Sequence, residues 1–567
     1  MTRREYGGLV LLLLAIAAAA AFLLQRKRRK DGVLIFTALT SLYLRFFYIL
    51  YTPTWMRQHD VIGFGNSKGI GQAALIEWIY HNGRLPDFDP RKRWGFFQPL
   101  LHHILSAVWL KINTALGIAY EAACENIQIL TLIYSLIFLW YAYRTLKEMG
   151  LSGTPMKLAF ALTALHPSFI LMSGSVNNDM LCLMFLMMAI YYSLVWYRKS
   201  TLGNILKVAV CIGCSMMAKL MGVLIAPAIA FLFLHKLYLS CRETKRQNEA
   251  GPGSRQDPTS KDSAIIETEN PAIQENVGSI EAKGDLAKGH QTKGNLTKGN
   301  LAKENLTKGN LAKENLAKGN LTKGNLAKGR QTKGNLTKEH QANGDQIPTL
   351  PSPRSLIGQF LCFGGVSLPL GLFFPIRNLV LFGVPLMYVP KVGEPVGQYG
   401  ILQRIFDIRT STPYTNLISN GNPYDEFNIP LALMKTSLTG EYDYGAINSY
   451  INPFAWILLG TGILLAIVAL WATVRFVFLK KSNMSGLHRA FWGIIYFTAM
   501  AFYIRLVFSA PYFSSQDFRY IAYLIVPESL FLGLLYGEIK GIRLPLLILT
   551  VLFSLSSTAV YFLLGLP

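Results

Sequence analysis

The sequence predicts an all-α polytopic membrane protein of about twelve transmembrane helices, with a range of 11–13. Three observations carry this. Charged residues make up 15% of the 567-residue chain, against about 25% in soluble domains. Apolar runs of about 20 residues, enough to span a bilayer as helices, recur along it. Basic residues gather in short groups at alternate ends of these runs, as the positive-inside rule requires.

The runs lie at roughly 9–24, 33–51, 126–145, 157–174, 178–197, 203–218, 221–239, 355–382, 453–478, 488–508, 519–537 and 544–565. The first follows Arg3-Arg4 and has the length of a signal peptide. The cluster from Arg26 to Lys30 directly after it reads instead as the flank of a retained anchor. Arg144 to Lys147, Arg198-Lys199, Lys480-Lys481 and Lys540 to Arg543 are the other basic groups. Placing them in the cytoplasm puts the N-terminus outside, with loops 52–125, 175–177, 383–452 and 509–518. The expected location is the plasma membrane. The net charge of +23 is thus a topology signal, and no nucleic-acid partner is expected.

Three regions result: residues 1–240 as an N-terminal transmembrane half with the outer loop 52–125, residues 241–354 as an insert, and residues 355–567 as a C-terminal half with the outer loop 383–452. From Glu281 to Asp345 the insert is a run of pentapeptides such as LAKGN, LTKGN and LAKEN. Its low apolar content cannot offset the entropy of ordering, so it is predicted to be disordered and cytoplasmic. A pentapeptide β-solenoid would want a small apolar residue two places before each Leu, where this repeat carries Gly or Glu. Cys211 and Cys214 have CxxC spacing inside an apolar run without a second pair, which reads as helix core.

The first outer loop is polar and aromatic. Gly71 to His81 and Pro99 to Leu116 are amphipathic and are predicted to lie along the interface, with Trp78, Tyr80, Trp94 and Trp109 at headgroup level. Asp60 stands just beyond the second span. A carboxylate at a membrane surface is costly and so a functional candidate. It suits a general base, with His59 beside it to orient a sugar or a metal; the plain alternatives are a helix cap or an ion pair with Arg57. Asn177-Asn178-Asp179 sits at an outer junction of two spans, fit for capping and for substrate binding. Asp87 and Asp89, beside Pro86 and Pro90, read as turn residues, and Glu77 is a further acid of the loop. Lys219, Arg377 and Arg519-Tyr520 place cations near the outer face, where a phosphate would partner them. Snorkelling to headgroups is the alternative.

Scattered motifs add a resemblance: HDV at 59–61, YHNGRLP at 80–86, QPLLHH at 98–103, HPSFILMSGSVNND at 166–179, AKLMGVLIAP at 218–227, PIRNLVLFGVP at 375–385 and QDFRYIAYLIVP at 516–527. Together they resemble the GT-C class of membrane glycosyltransferases, which includes the protein O-mannosyltransferases and the lipid A aminoarabinose transferase. The resemblance implies sugar transfer from a polyprenyl-phosphate donor to a protein, lipid or glycan acceptor on the outer face. It makes Asp60 the catalytic base and gives substrate-binding roles to His59, Gln98, Asn178, Asp179, Lys219, Arg377, Arg519 and Tyr520. The class often carries a Gly-His or an acidic companion after the HD pair, where this chain has Val61-Ile62-Gly63-Phe64, so a divalent metal stays open without a clear motif to hold it, and no other cofactor is read. The soluble C-terminal domain of some relatives is not expected after the last span. Two other classes fit the spans. A transporter of a lipid-linked sugar would show paired inverted repeats, which the sequence does not. A membrane scaffold would work through the Lys-rich insert at anionic headgroups.

Overall fold

The computed structural model describes residues 31–55, 62–249, 350–386, 388, 396, 398–407, 427–440, 451–479 and 484–565. The first predicted span lies outside them. By its contacts the chain divides into Met1–Ile273 with Ser352–Pro567, and Gln274–Pro351. The first of these units carries the described helices.

Among the described residues it is built of helices and short 3-10 turns, without a strand. The helices are α1 Gly32–Tyr51, α2 Gly71–Asn82, α3 Leu101–Ala115, α4 Tyr120–Glu125, α5 Ile127–Glu148, α6 Gly153–Ala164, α7 Pro167–Leu171, α8 Asp179–Arg198 and α9 Leu202–Ala218. They continue with α10 Ala226–Glu249, α11 Pro353–Phe382, α12 Ile401–Phe406, α13 Ile429–Leu438, α14 Asn452–Phe478, α15 Gly486–Ser509, α16 Ile525–Glu538 and α17 Arg543–Leu563. Among the described residues, eight spans are long and apolar enough to cross a membrane, or nine if the bent pair α6–α7 counts as one. The all-helical membrane character is as expected, while the count of about twelve is not decided by the described residues alone. Predicted spans 203–218 and 519–537 coincide with α9 and α16, which are shorter, and α16 is preceded by 3-10 turns at Phe518–Tyr520 and Ala522–Leu524. Apolar 3-10 turns carry the same hydropathy as helix, so composition alone extends the run. α10 runs on to Glu249, past the boundary read at 241, because its polar end supports itself. Gln247 bonds Glu243, and Lys245 pairs with Glu249 one turn on.

The bundle packs mainly through α8, α9 and α11 on one side and α14, α16, α17 and α6 on the other. Small residues let α9 and α11 approach. A Cβ added at Gly213 would meet Leu370 at 2.8 Å, and one at Gly371 would meet Met216 at 2.9 Å, the close contact by which helices associate in lipid. A smaller core joins the first loop to the bundle: Leu75, Ile76, Phe96 and Leu100 pack with Val176 and Phe374.

The helical path breaks at two places, one inside a predicted span and one between the predicted spans 203–218 and 221–239. The stretch 157–174 bends by 53° between α6 and α7, since Pro167 opens α7 and the residue before a proline leaves the helical region. The carbonyls freed there are bonded. Ser41 and Arg45 both donate to Ala164 O, at 2.9 and 2.8 Å, and Ser557 donates to Leu165 O at 2.7 Å. In lipid such internal bonding is obligatory. The second break follows Ala218. Lys219 is extended there, ahead of a 3-10 turn at Leu220–Ile225.

Candidate active site

The two breaks bring polar residues together. Asn177 Oδ1 accepts from the Asp179 N–H (3.0 Å), which settles the first turn of α8. Asn178 Nδ2 donates to Ala218 O (2.8 Å) and to Gln98 Oε1 (3.1 Å), tying α8 to the end of α9 and to the first loop. The chain is thereby held so that Lys219, one residue past α9, turns back on Asp179, with which it forms an ion pair.

Arg519 reaches the same carboxylate from the other half of the chain. Its Nη1 lies 3.8 Å from Asp179 Oδ2, and its Nε lies 3.5 Å from Asp517 Oδ2. Asp517 also accepts from the Arg519 N–H (2.8 Å), capping the 3-10 turn Phe518–Tyr520. Tyr520 completes the cluster, its ring centroid 4.7 Å from Lys219 Nζ and 5.6 Å from the Arg519 guanidinium. The side chains differ in depth: Asp179 is 3% exposed, Lys219 17% and Arg519 15%. The acid lies beneath, and the cations present their outer sides.

Behind Asp179 stand two fully buried histidines of α3. Burial pushes His102 down to about 4, with the nearby Asp179 charge acting the other way. Burial and its neighbour push His103 down to about 3. Both are neutral at pH 7. Among the described residues, the cluster thus counts two cations and two carboxylates.

Gln98, Asn178, Asp179, Lys219, Arg519 and Tyr520 are therefore brought together. Arg377 is engaged elsewhere: it donates to Pro86 O (2.6 Å) and to Asn378 Oδ1 (3.2 Å), holding the first loop against α11. The end of α11 is tied to the first loop there, since Arg91 also donates to Phe382 O at 2.9 Å. His59 and Asp60 lie outside the described residues. Among the described residues, no group of three or more His, Cys, Asp or Glu stands together as a metal would require. Asp89 caps the turn Pro90–Lys92 and pairs with Arg91, whose guanidinium holds the carboxyl below the usual range.

Asp517 does not stand out in the sequence, because its place two residues before Arg519 reads as a local cap whether or not it also pairs with the guanidinium. Glu528 escapes sequence reasoning as well. It accepts from Tyr496 Oη (3.1 Å) and, with His166, Ser437 and Phe518, lines a cavity of about 90 Å³. Phe518 adjoins Arg519, so the cavity and the charged cluster share one turn.

Residues 106–245 match the family model described as dolichyl-phosphate-mannose-protein mannosyltransferase. The matched stretch is thus similar to a family of GT-C glycosyltransferases. It contains Asn178, Asp179 and Lys219, and so covers the α8–α9 side of the cluster. It amounts to about a quarter of the chain. No curated protein and no solved structure matches. The GT-C resemblance read from the motifs is thus shown over α3 to α10. With the spans, it supports a multi-pass membrane glycosyltransferase that draws on a lipid-linked donor.

Proposed function

We propose that this protein transfers a sugar from a polyprenyl-phosphate donor to an acceptor hydroxyl or amine at the outer face of the membrane, with Asp60 as general base. The observation that carries the reading is the convergence of Lys219 and Arg519, from opposite halves of the chain, on one buried carboxylate.

In the reaction the acceptor oxygen or nitrogen attacks the anomeric carbon as Asp60 takes its proton. The bond from that carbon to the phosphate oxygen breaks with inversion, and the polyprenyl phosphate departs with the electron pair. The donor is a phosphodiester with one negative charge; the departing monoester develops a second. Cations at the leaving oxygen hence bind the transition state more strongly than the ground state, which is what accelerates the chemical step. Asp179 acts as a positioning residue in this scheme. It keeps two semi-buried cations charged and aimed while their exposed sides meet the phosphate. Tyr520 fixes the Lys219 ammonium over its ring face. Gln98 and Asn178 hold the loop to the cluster. Arg377 contributes through the Pro86 turn.

The test is Asp60→Asn in the full-length protein. The variant is expected to insert and fold as the wild type does and to lose transfer, read as the loss of the product glycan and the build-up of its lipid-linked precursor in cells. An Asp60→Asn protein that still makes product would sink the assignment. Comparing lipid-linked sugars and surface glycans with and without the wild-type protein identifies the sugar and the acceptor.

A further inference from the structure

Arg519 stands on the 3-10 turn Phe518–Tyr520, which belongs to no long helix, so its place is set by what grips the chain around it. Gln516 is gripped twice. Tyr503 of α15 donates its hydroxyl to Gln516 O at 2.8 Å, and Arg404 of α12 donates through Nη2 to Gln516 Oε1 at 3.1 Å. The same Nη2 donates to Val507 O at 3.1 Å, close to the end of α15. On the other side of Asp517, the Phe518 N–H donates to Thr436 Oγ1 (2.9 Å), and that hydroxyl donates to Ala432 O within α13 (2.7 Å). Asp517 thus lies between two pinned residues, and it is Asp517 that caps the turn and meets the Arg519 guanidinium.

Helix α12 is turned for this inward grip. Arg404 is 3% exposed, whereas Leu402 and Phe406 are each 71% exposed. The helix buries its charge and presents apolar side chains outward, the reverse of a helix on the surface of a soluble protein. Its seat is fixed by the stacking of Tyr399 on Phe427, with ring centroids 4.1 Å apart, and by Asn428 Nδ2 donating to Asp407 O at 3.2 Å. Among the described residues the hydrogen-bond acceptors of Arg404 are the Val507 carbonyl and the Gln516 amide, both neutral. A guanidinium buried on neutral acceptors is costly. What it secures here is the strand of chain that leads into Asp517 and Arg519.

We propose that Arg404 and Tyr503 are positioning residues for Arg519. Holding Gln516 by its side chain and by its carbonyl, they set the turn from which Arg519 reaches the phosphate of the donor. The proposal rests on the reading of Lys219 and Arg519 as the cations that meet that phosphate. Neither Arg404 nor Tyr503 touches substrate in this scheme; each acts through Gln516, and Gln516 through Asp517. A misplacement of about 1 Å is enough to forfeit much of the effect of an aligned group, so the loss shows at the phosphate rather than in the fold.

The experiment measures the binding of two probes, geranyl phosphate and geraniol, to the full-length protein in detergent. The proteins are wild type, Arg519→Ala, Arg404→Met, Tyr503→Phe and the double variant Arg404→Met/Arg519→Ala. The probes share a prenyl chain and differ by the phosphate, so the ratio of their dissociation constants isolates the cations. Arg519→Ala is expected to weaken geranyl phosphate about tenfold and to leave geraniol within about twofold. Arg404→Met and Tyr503→Phe are expected to weaken geranyl phosphate about fivefold and about threefold, again with geraniol unmoved. In the double variant the loss is expected to remain that of Arg519→Ala alone, the non-additivity of residues that act through one another. Additive losses overturn the positioning role. So does a fall in affinity for geraniol that matches the fall for geranyl phosphate, the mark of a general defect in the fold. If Arg404→Met does not accumulate in the membrane, Tyr503→Phe, which lacks a single oxygen, decides by the same ratio. An Arg519→Ala protein that binds geranyl phosphate as wild type does sinks the phosphate reading, and the positioning role with it. If Arg519→Ala is weakened while Arg404→Met and Tyr503→Phe bind as wild type, the phosphate reading stands and the positioning role falls.

Discussion

Lys219 and Arg519 differ in what they ask of Asp179, and the difference is testable one side chain at a time. Lys219 offers a point charge that meets one carboxylate and one ring. Arg519 uses separate nitrogens to meet Asp179 and Asp517, a planar arrangement that lysine does not reproduce. Lys219→Gln is therefore expected to lower kcat by about 10²–10³-fold with a smaller change in KM, the pattern of a group that binds developing charge. Arg519→Lys is expected to fall nearer to Arg519→Ala than to the wild type. Steady-state kinetics in proteoliposomes reads both; equal losses in kcat and 1/KM for Lys219→Gln would place it in ground-state binding instead. At this scale the sequence announces the cations but not their partners. A buried Lys needs a counter-charge, and Asp179 and Lys219 stand forty positions apart. Nothing short of the α8–α9 packing says that the counter-charge is a carboxylate of the chain itself. Tyr520 is legible only through its neighbour. Asp517, on the other side of Arg519, is not, because a local cap and an ion-pair partner look alike in a string of letters.

The break between α6 and α7 is the element on which the α8 end of the site depends, and its keystone is Arg45. This guanidinium is fully buried in α1. It donates to Ser135 Oγ (2.9 Å), to Ser41 O (3.1 Å) and to Ala164 O (2.8 Å), and also bonds Ser41 Oγ. Its acceptors are neutral, so it serves as a cationic cap on the last carbonyls of α6, where the helix dipole is negative. Arg45→Met leaves Ala164 O with the Ser41 hydroxyl alone. The expected loss is about 1–3 kcal/mol, the range for stranding buried hydrogen-bonding groups, seen as a lower unfolding temperature in detergent. Unaltered thermal stability would show that Ser41 and Ser557 suffice. Hydropathy reports the helices of this region well, because backbone in lipid has little alternative to a helix. It runs 157–174 together because Leu165 and His166 are no more polar than a helix interior tolerates. Pro167 is the one legible mark of the bend. Helix α4 shows the opposite failure. YEAACE is polar enough to read as loop, and its order comes from Glu77, Thr54 and the start of α5 together with a small core in which Ala123 and Cys124 pack with Leu110.

Over the whole molecule, the charge pattern separates what builds the site from what is appended to it. The cluster draws on both halves: Asp179 and Lys219 precede the insert, while Asp517, Arg519 and Tyr520 follow it by more than 150 positions. The two halves must therefore assemble on one another whatever joins them. Contacts between α9 and α11 already do this across the insert, through glycine faces that need no linker. The insert itself carries 19 basic and 13 acidic residues between 241 and 354, a net of +6 from 19 − 13. Spread over so many residues, that is a weak field at physiological ionic strength, where charges beyond about 8 Å are largely screened. Loop-closure entropy also grows only slowly with length, so shortening a long connection changes little. Deleting residues 274–349 is accordingly expected to leave insertion intact and product glycan within about twofold of wild type per molecule of protein in the membrane. If product is lost while the truncated chain inserts normally, the repeats take part in the function, and the membrane-scaffold reading of the Lys-rich segment gains the ground that the enzyme reading gives up.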